Sequence, residues 1–229
     1  MREVLISGKA SFKIEVPYKL YETGEAGKKP LIVYLHGYRQ NIELFESLVK
    51  DMLSLDAYHL FIQAPYPIYD ESGKKKVNDW GRSWYLYDGE QGQFVRSMEL
   101  ASEFIQEIID SILPNISVSR ICLFGYSMGG YLAGYFMLSR WKHVNEAIII
   151  GARIKTEVFE GRLEEANHIN VLALHGNSDV NVFPEPQKRE IENLTKAGFK
   201  ASFIAVKAEH KLTNIFSVES LKWLKQLGY

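Results

Sequence analysis

Six short runs of four or five residues, each almost wholly apolar, recur along this chain at 31–35, 60–63, 121–124, 147–150, 171–174 and 202–206. A strand that is apolar on both faces has to be covered on both. The pattern therefore predicts a mostly parallel central sheet with helices packed against each side, an α/β fold. The separating segments fit that reading. Residues 42–55 carry apolar side chains at 44, 45, 48, 49, 52 and 53, and 95–113 repeats the helical spacing before Pro114 ends it. Further helices are predicted over 128–140, 184–197 and 214–227. The alternating segment 10–16 predicts a half-exposed antiparallel strand. No repeat, low-complexity tract or long Pro/Gly/Ser linker divides the 229 residues, so one domain spanning 1–229 is expected.

Charge and composition remove several function classes. A formal net charge of −1 gives no electrostatic reason for a nucleic-acid partner. The one basic run, Lys74 to Lys76, follows Ser72-Gly73 and reads as a solvated loop. No apolar stretch approaches the roughly 20 residues of a membrane span. The first residues lack a basic region followed by a sustained apolar core, so a cytoplasmic location is expected. The single cysteine, Cys122, can form no intrachain disulfide and lies in an apolar run, where it reads as a buried thiol.

The chemistry concentrates after the third run. Gly125-Tyr126-Ser127-Met128-Gly129-Gly130 follows it directly and opens a helix rich in small residues. A strand, a sharp turn and a helix are what a nucleophile elbow requires, with Ser127 as the nucleophile. Glycines two residues away let strand and helix pass closely, and the helix N-terminus offers free N–H groups to developing negative charge.

A serine hydroxyl needs a base, and the base an orienting acid, in the chain order Ser, acid, His for this arrangement. Of seven aspartates only Asp179 follows Ser127, and of six histidines only His210 follows Asp179. No other Asp–His pair completes the order. Asp179 lies after the run 171–174 and the turn 175–178, and His210 lies after the run 202–206. Both are thus expected at the sheet rim that carries Ser127.

An acyl-transfer oxyanion needs backbone donors. The amide of Met128 is one candidate, and the amide of Tyr38, in His36-Gly37-Tyr38 after the first run, is the other. His36 and His175, each in a His-Gly pair, read as makers of structural hydrogen bonds near the site. No metal-ligand spacing and no phosphate-binding glycine loop appear, so neither metal nor cofactor is expected. The long irregular segment 64–93 is rich in aromatics. Its rings either wall a substrate pocket or anchor the loop.

Taken together, Leu35-His36-Gly37, the Ser127 hexapeptide, Leu174-His175-Gly176-Asn177-Ser178-Asp179 and Glu209-His210 resemble the phospholipase/carboxylesterase family of α/β hydrolases, which includes acyl-protein thioesterase-like enzymes. Arg82-Ser83-Trp84-Tyr85 is similar to that family's tryptophan-aromatic segment. The likeness runs from about Lys29 to the C-terminus. It implies an α/β-hydrolase fold without a large lid domain, a triad of Ser127, Asp179 and His210, and hydrolysis of small-molecule carboxylic esters or thioesters without a cofactor. It also implies substrate contacts near Trp84 and Tyr85. Two positions depart from the pattern: Met128 stands where the thioesterase branch often has Gln, and Glu209 where Gly is usual. A serine peptidase, a lactone hydrolase and a non-catalytic binding module on the same fold remain alternatives, because fold and triad do not choose the leaving group.

Overall fold

The computed structural model describes residues 6, 8 and 14–229. Seven strands form one sheet in the order β1-β3-β2-β6-β7-β8-β9. They are β1 (Tyr18–Glu22), β2 (Lys29–Leu35), β3 (Tyr58–Ile62), β6 (Val118–Tyr126), β7 (Glu146–Ile150), β8 (Asn170–Gly176) and β9 (Lys200–Val206). Among the described residues of this sheet, only β1 runs antiparallel, against β3, and every other pairing is parallel. The six apolar runs are the six parallel strands. Among the described residues the antiparallel strand is β1, not a segment within the 10–16 expected from the sequence. Residues 10–13 lie outside the described residues, Ile14 to Val16 are not in a strand, and β1 begins at Tyr18.

Among the described residues, five helices cover the sheet: α1 (Ile42–Leu48), α2 (Gln91–Ile112), α3 (Met128–Ser139), α4 (Pro184–Lys196) and α5 (Asn214–Gln226). Alternation along each strand sends side chains to two separate cores. Leu31, Val33 and Leu35 of β2 join residues of α2, α3 and α4 on one face, while Ile32 and Tyr34 join α1 and α5 on the other. Local chemistry sets several helix ends. Asn41 caps α1, its side chain accepting from the Leu44 amide at 2.9 Å, and Pro184 opens α4 where a missing N–H costs nothing.

The helix predicted over 42–55 divides. It leaves α geometry after Leu48 and continues as a tighter 3₁₀ turn over Lys50–Ser54. A period of three puts Val49, Met52 and Leu55 on one side, and all three are buried against the sheet. The irregular segment 64–93 also contains a small antiparallel ladder, β4 (Tyr66–Pro67) with β5 (Arg82–Ser83).

Parallel register brings the strand ends that matter to one rim. Leu35 pairs with Gly125, Gly125 with Ile149, and Gly176 with Val206. The segments following β2, β6, β8 and β9 therefore leave the sheet side by side, at the carboxyl edge where open α/β sheets bind ligands.

Candidate active site

Ser127 sits between β6 and α3 with φ 51° and ψ −117°, a backbone conformation unfavourable for any residue with a Cβ. Its surroundings impose the strain. The Ser127 amide donates to Ile150 O at 2.8 Å, tying the turn to β7. A Cβ on Gly125 would collide with the Gly129 carbonyl, and one on Gly129 with the Leu35 carbonyl. Glycine at both positions lets strand, helix and the end of β2 converge under the serine.

The three polar side chains selected by chain order meet. Ser127 Oγ lies 2.8 Å from His210 Nε2, and His210 Nδ1 lies 2.7 Å from Asp179 Oδ2. Asp179 is buried, whereas His210 is 15 % exposed in its side chain and Ser127 is half-buried. The other carboxylate oxygen, Oδ1, accepts the amides of Asn181 at 3.0 Å and Val182 at 2.9 Å. With Oδ2 accepting from Nδ1–H, the imidazole presents an unprotonated Nε2 to the serine hydroxyl. This arrangement can draw a proton from the serine and hold the resulting imidazolium against a carboxylate.

Met128 is the first residue of α3 and Tyr38 lies in the turn after β2. Neither amide donates to an acceptor among the described residues. Gln40 holds the Tyr38 turn, its Oε1 accepting from the Gly37 amide at 2.7 Å.

The two His-Gly histidines make the structural bonds expected of them. His36 accepts from the Ala64 amide at 3.2 Å through Nε2 and donates from Nδ1 to Gly37 O at 2.8 Å. Burial pushes it down to about 4, so it stays neutral. His175 donates from Nε2 to Val182 O at 2.7 Å, with Asp179 Oδ2 at 3.4 Å, and burial also lowers its pKa. Cys122 is buried and its thiol is pushed up by burial, which leaves it inert.

The model sequence of the phospholipase/carboxylesterase family matches residues 19–221. The chain belongs to the phospholipase/carboxylesterase family. It is accordingly an enzyme of the carboxylesterase type, on the α/β-hydrolase fold and without a large lid. Among solved structures, esterase PE8 is similar at 18% identity and a TM-score of 0.76, over 93% of this chain and 99% of that one. A Bacillus cereus carboxylesterase is similar at 15% and 0.74, over 92% and 94%. Zea mays acyl-protein thioesterase 2 is similar at 17% and 0.73, over 92% and 98%. Identities this low speak for the fold alone. No curated protein matches the chain.

Within this carboxylesterase-family fold, Trp84, expected as a substrate contact, lies turned into the body of the protein. Trp84 is 0% exposed, and its indole donates to His36 O at 2.7 Å. A ring sealed from solvent has no face for a ligand, so Trp84 anchors the 64–93 segment to the Tyr38 turn. Tyr85 is also buried, edge-on to Phe94. Tyr69 and Tyr87 are exposed, so the aromatics of the segment divide between anchoring and surface.

One supporting residue was not singled out from the sequence. The Tyr126 ring stacks on His210 with centroids 5.6 Å apart, and its hydroxyl donates to His210 O at 3.2 Å. It lies in the nucleophile motif itself, but only the return of residue 210 across the sheet gives it a partner. Among the described residues, no group of three or more His, Cys, Asp or Glu is placed to hold a metal ion, and no helix is long and apolar enough to cross a membrane.

Proposed function

We propose that this enzyme hydrolyses carboxylic esters through an acyl-enzyme on Ser127, with thioesters as a related substrate class. The observation that carries this reading is the unbroken chain from Ser127 Oγ through His210 to Asp179, at 2.8 and 2.7 Å. His210 Nε2 takes the hydroxyl proton as Oγ attacks the substrate carbonyl carbon. The resulting oxyanion is held by the amides of Met128 and Tyr38, while Asp179 stabilises the imidazolium. Collapse breaks the bond to the alcohol or thiol, which leaves with the proton from His210. Water then attacks the acyl-enzyme by the same route, releasing the acid and regenerating Ser127. No step calls for a cofactor.

The strained serine supports catalysis over a binding module, because binding gives no reason to hold φ at 51°. The resemblance of the site motifs to a family that includes acyl-protein thioesterase-like enzymes supports including thioesters, whereas Met128, in place of the Gln frequent in that branch, supports esters as the main class. A single domain over 1–229 working in the cytoplasm completes the proposal, supported by one continuous seven-stranded sheet and a single, buried cysteine. Labelling with a fluorophosphonate probe tests it. The adduct is expected on Ser127, lost in Ser127→Ala together with hydrolysis of p-nitrophenyl esters. Full hydrolysis by that variant would overturn the reading.

A further inference from the structure

One open cavity of about 410 Å³ is walled in part by residues hydrogen-bonded to two members of the candidate triad. It is lined by Tyr131, Arg153, Asn181, Val182, Phe183, Pro186 and Arg189. Two links fix its place. Tyr131 is one turn along α3 from Ser127, its amide donating to Ser127 O at 3.0 Å. Asn181 and Val182 are the residues whose amides hold Asp179. Residues lining the cavity are thus one hydrogen bond away from Ser127 on one side and from Asp179 on the other.

The lining has a definite chemistry. Tyr131, Val182, Phe183 and Pro186 supply an apolar floor and rim, and Phe183 is 62% exposed, a cost in water that a ligand would remove. The only charged lining residues are two arginines. They are not equivalent. Arg153 is held by ion pairs to Glu190, at 2.8 Å, and to Glu157, which fix its guanidinium and cancel much of its charge. Arg189 makes no ion pair among the described residues and projects from the exposed side of α4. A planar fork of donors beside an apolar wall, with no carboxylate lining the cavity, suits a carboxylate or phosphate on a short apolar stem.

Building on the ester-hydrolase reading, we propose that this cavity is a substrate subsite for esters bearing an anionic group, and that Arg189 selects the charge. The group sits either on the acyl part or on the alcohol part, and matched substrates tell these apart. The test compares p-nitrophenyl valerate with the p-nitrophenyl monoester of glutaric acid, and phenyl acetate with its ring-carboxylated counterpart. The quantity read is the ratio of kcat/KM for the charged to the neutral member of each pair.

In Arg189→Gln that ratio should fall about 10- to 100-fold for one pair, the worth of a hydrogen bond to a charged group. Arg189→Lys should restore part of it and Arg189→Glu should lower it further. Because Arg189 is exposed, unchanged melting curves would show that the variants fold. Ratios that stay the same in all three variants, for both pairs, overturn the subsite. The underlying reading fails separately: it falls if Ser127→Ala hydrolyses the neutral esters as well as the wild type does.

Discussion

Gly129 and Leu35 meet backbone to backbone, so closely that a Cβ on Gly129 would collide with the Leu35 carbonyl oxygen. The contact joins the first turn of α3 to the end of β2, and so joins the residue after Ser127 to the turn that carries Tyr38. Both candidate oxyanion donors are referenced to each other through it. Gly129→Ala should cost about 1–3 kcal/mol or more, since backbone cannot yield as a side chain can. A displacement near 1 Å between the two amides should lower kcat/KM on the order of 100-fold. Thermal melting and steady-state kinetics on a p-nitrophenyl ester check both.

Asp179→Asn isolates the charge of the acid. The Asn181 and Val182 amides bind Oδ1, so an asparagine would keep its oxygen there and turn its NH₂ toward His210 Nδ1. That donor forces the proton onto Nε2, where it faces the serine and cannot accept. The expected loss in kcat is on the order of 10⁴-fold, with a near wild-type melting temperature. A loss below tenfold in a folded variant would contradict the assigned role.

Trp84→Phe removes the donor to His36 O and leaves a buried carbonyl without it. The unsatisfied group alone should cost about 1–3 kcal/mol, with a cavity cost added. Because His36 precedes the Tyr38 turn, kcat should fall more than KM rises. Urea denaturation and a kcat-against-KM comparison test this; a rise in KM alone would instead make Trp84 a substrate contact.

Two histidines set a pH limit on stability. Burial pushes His36 and His59 down to about 4 from 6.5. His59 is held between the Tyr34 hydroxyl, at 2.9 Å, and Thr23 Oγ1, at 3.0 Å. Below 6.5 the unfolded chain binds protons that the folded protein refuses. Stability from these sites is therefore complete above pH 6.5 and declines as pH falls toward about 4, by the order of 3 kcal/mol per histidine. Urea titrations at pH 7.5 and 4.5 measure it. His59→Gln should be less stable at pH 7.5 but lose less on acidification.

The parallel sheet, its order of strands in the chain and the helix positions were legible because they depend on periodicity, which is local. So was the trio Ser127, Asp179 and His210, because each residue type follows a strand and the chain holds no other Asp and His in that order. The end of α1 was not legible: 49, 52 and 55 fit an α stripe loosely and a 3₁₀ stripe well, and packing on the sheet chose between them. The burial of Trp84 was not legible for a similar reason. Nothing in Arg-Ser-Trp-Tyr says whether an aromatic faces in or out; the carbonyl that takes its N–H belongs to residue 36.

The sequence by itself determined the α/β architecture and which serine, aspartate and histidine follow its strands in the order that brings them together. Only the tertiary structure decided which of its aromatics are sealed, that Tyr126 lies against His210, and that an arginine from α4 reaches the same cavity as a tyrosine from α3. These are contacts between segments tens of residues apart, and their partners are set by how helices seat on the sheet rather than by any pattern within a segment.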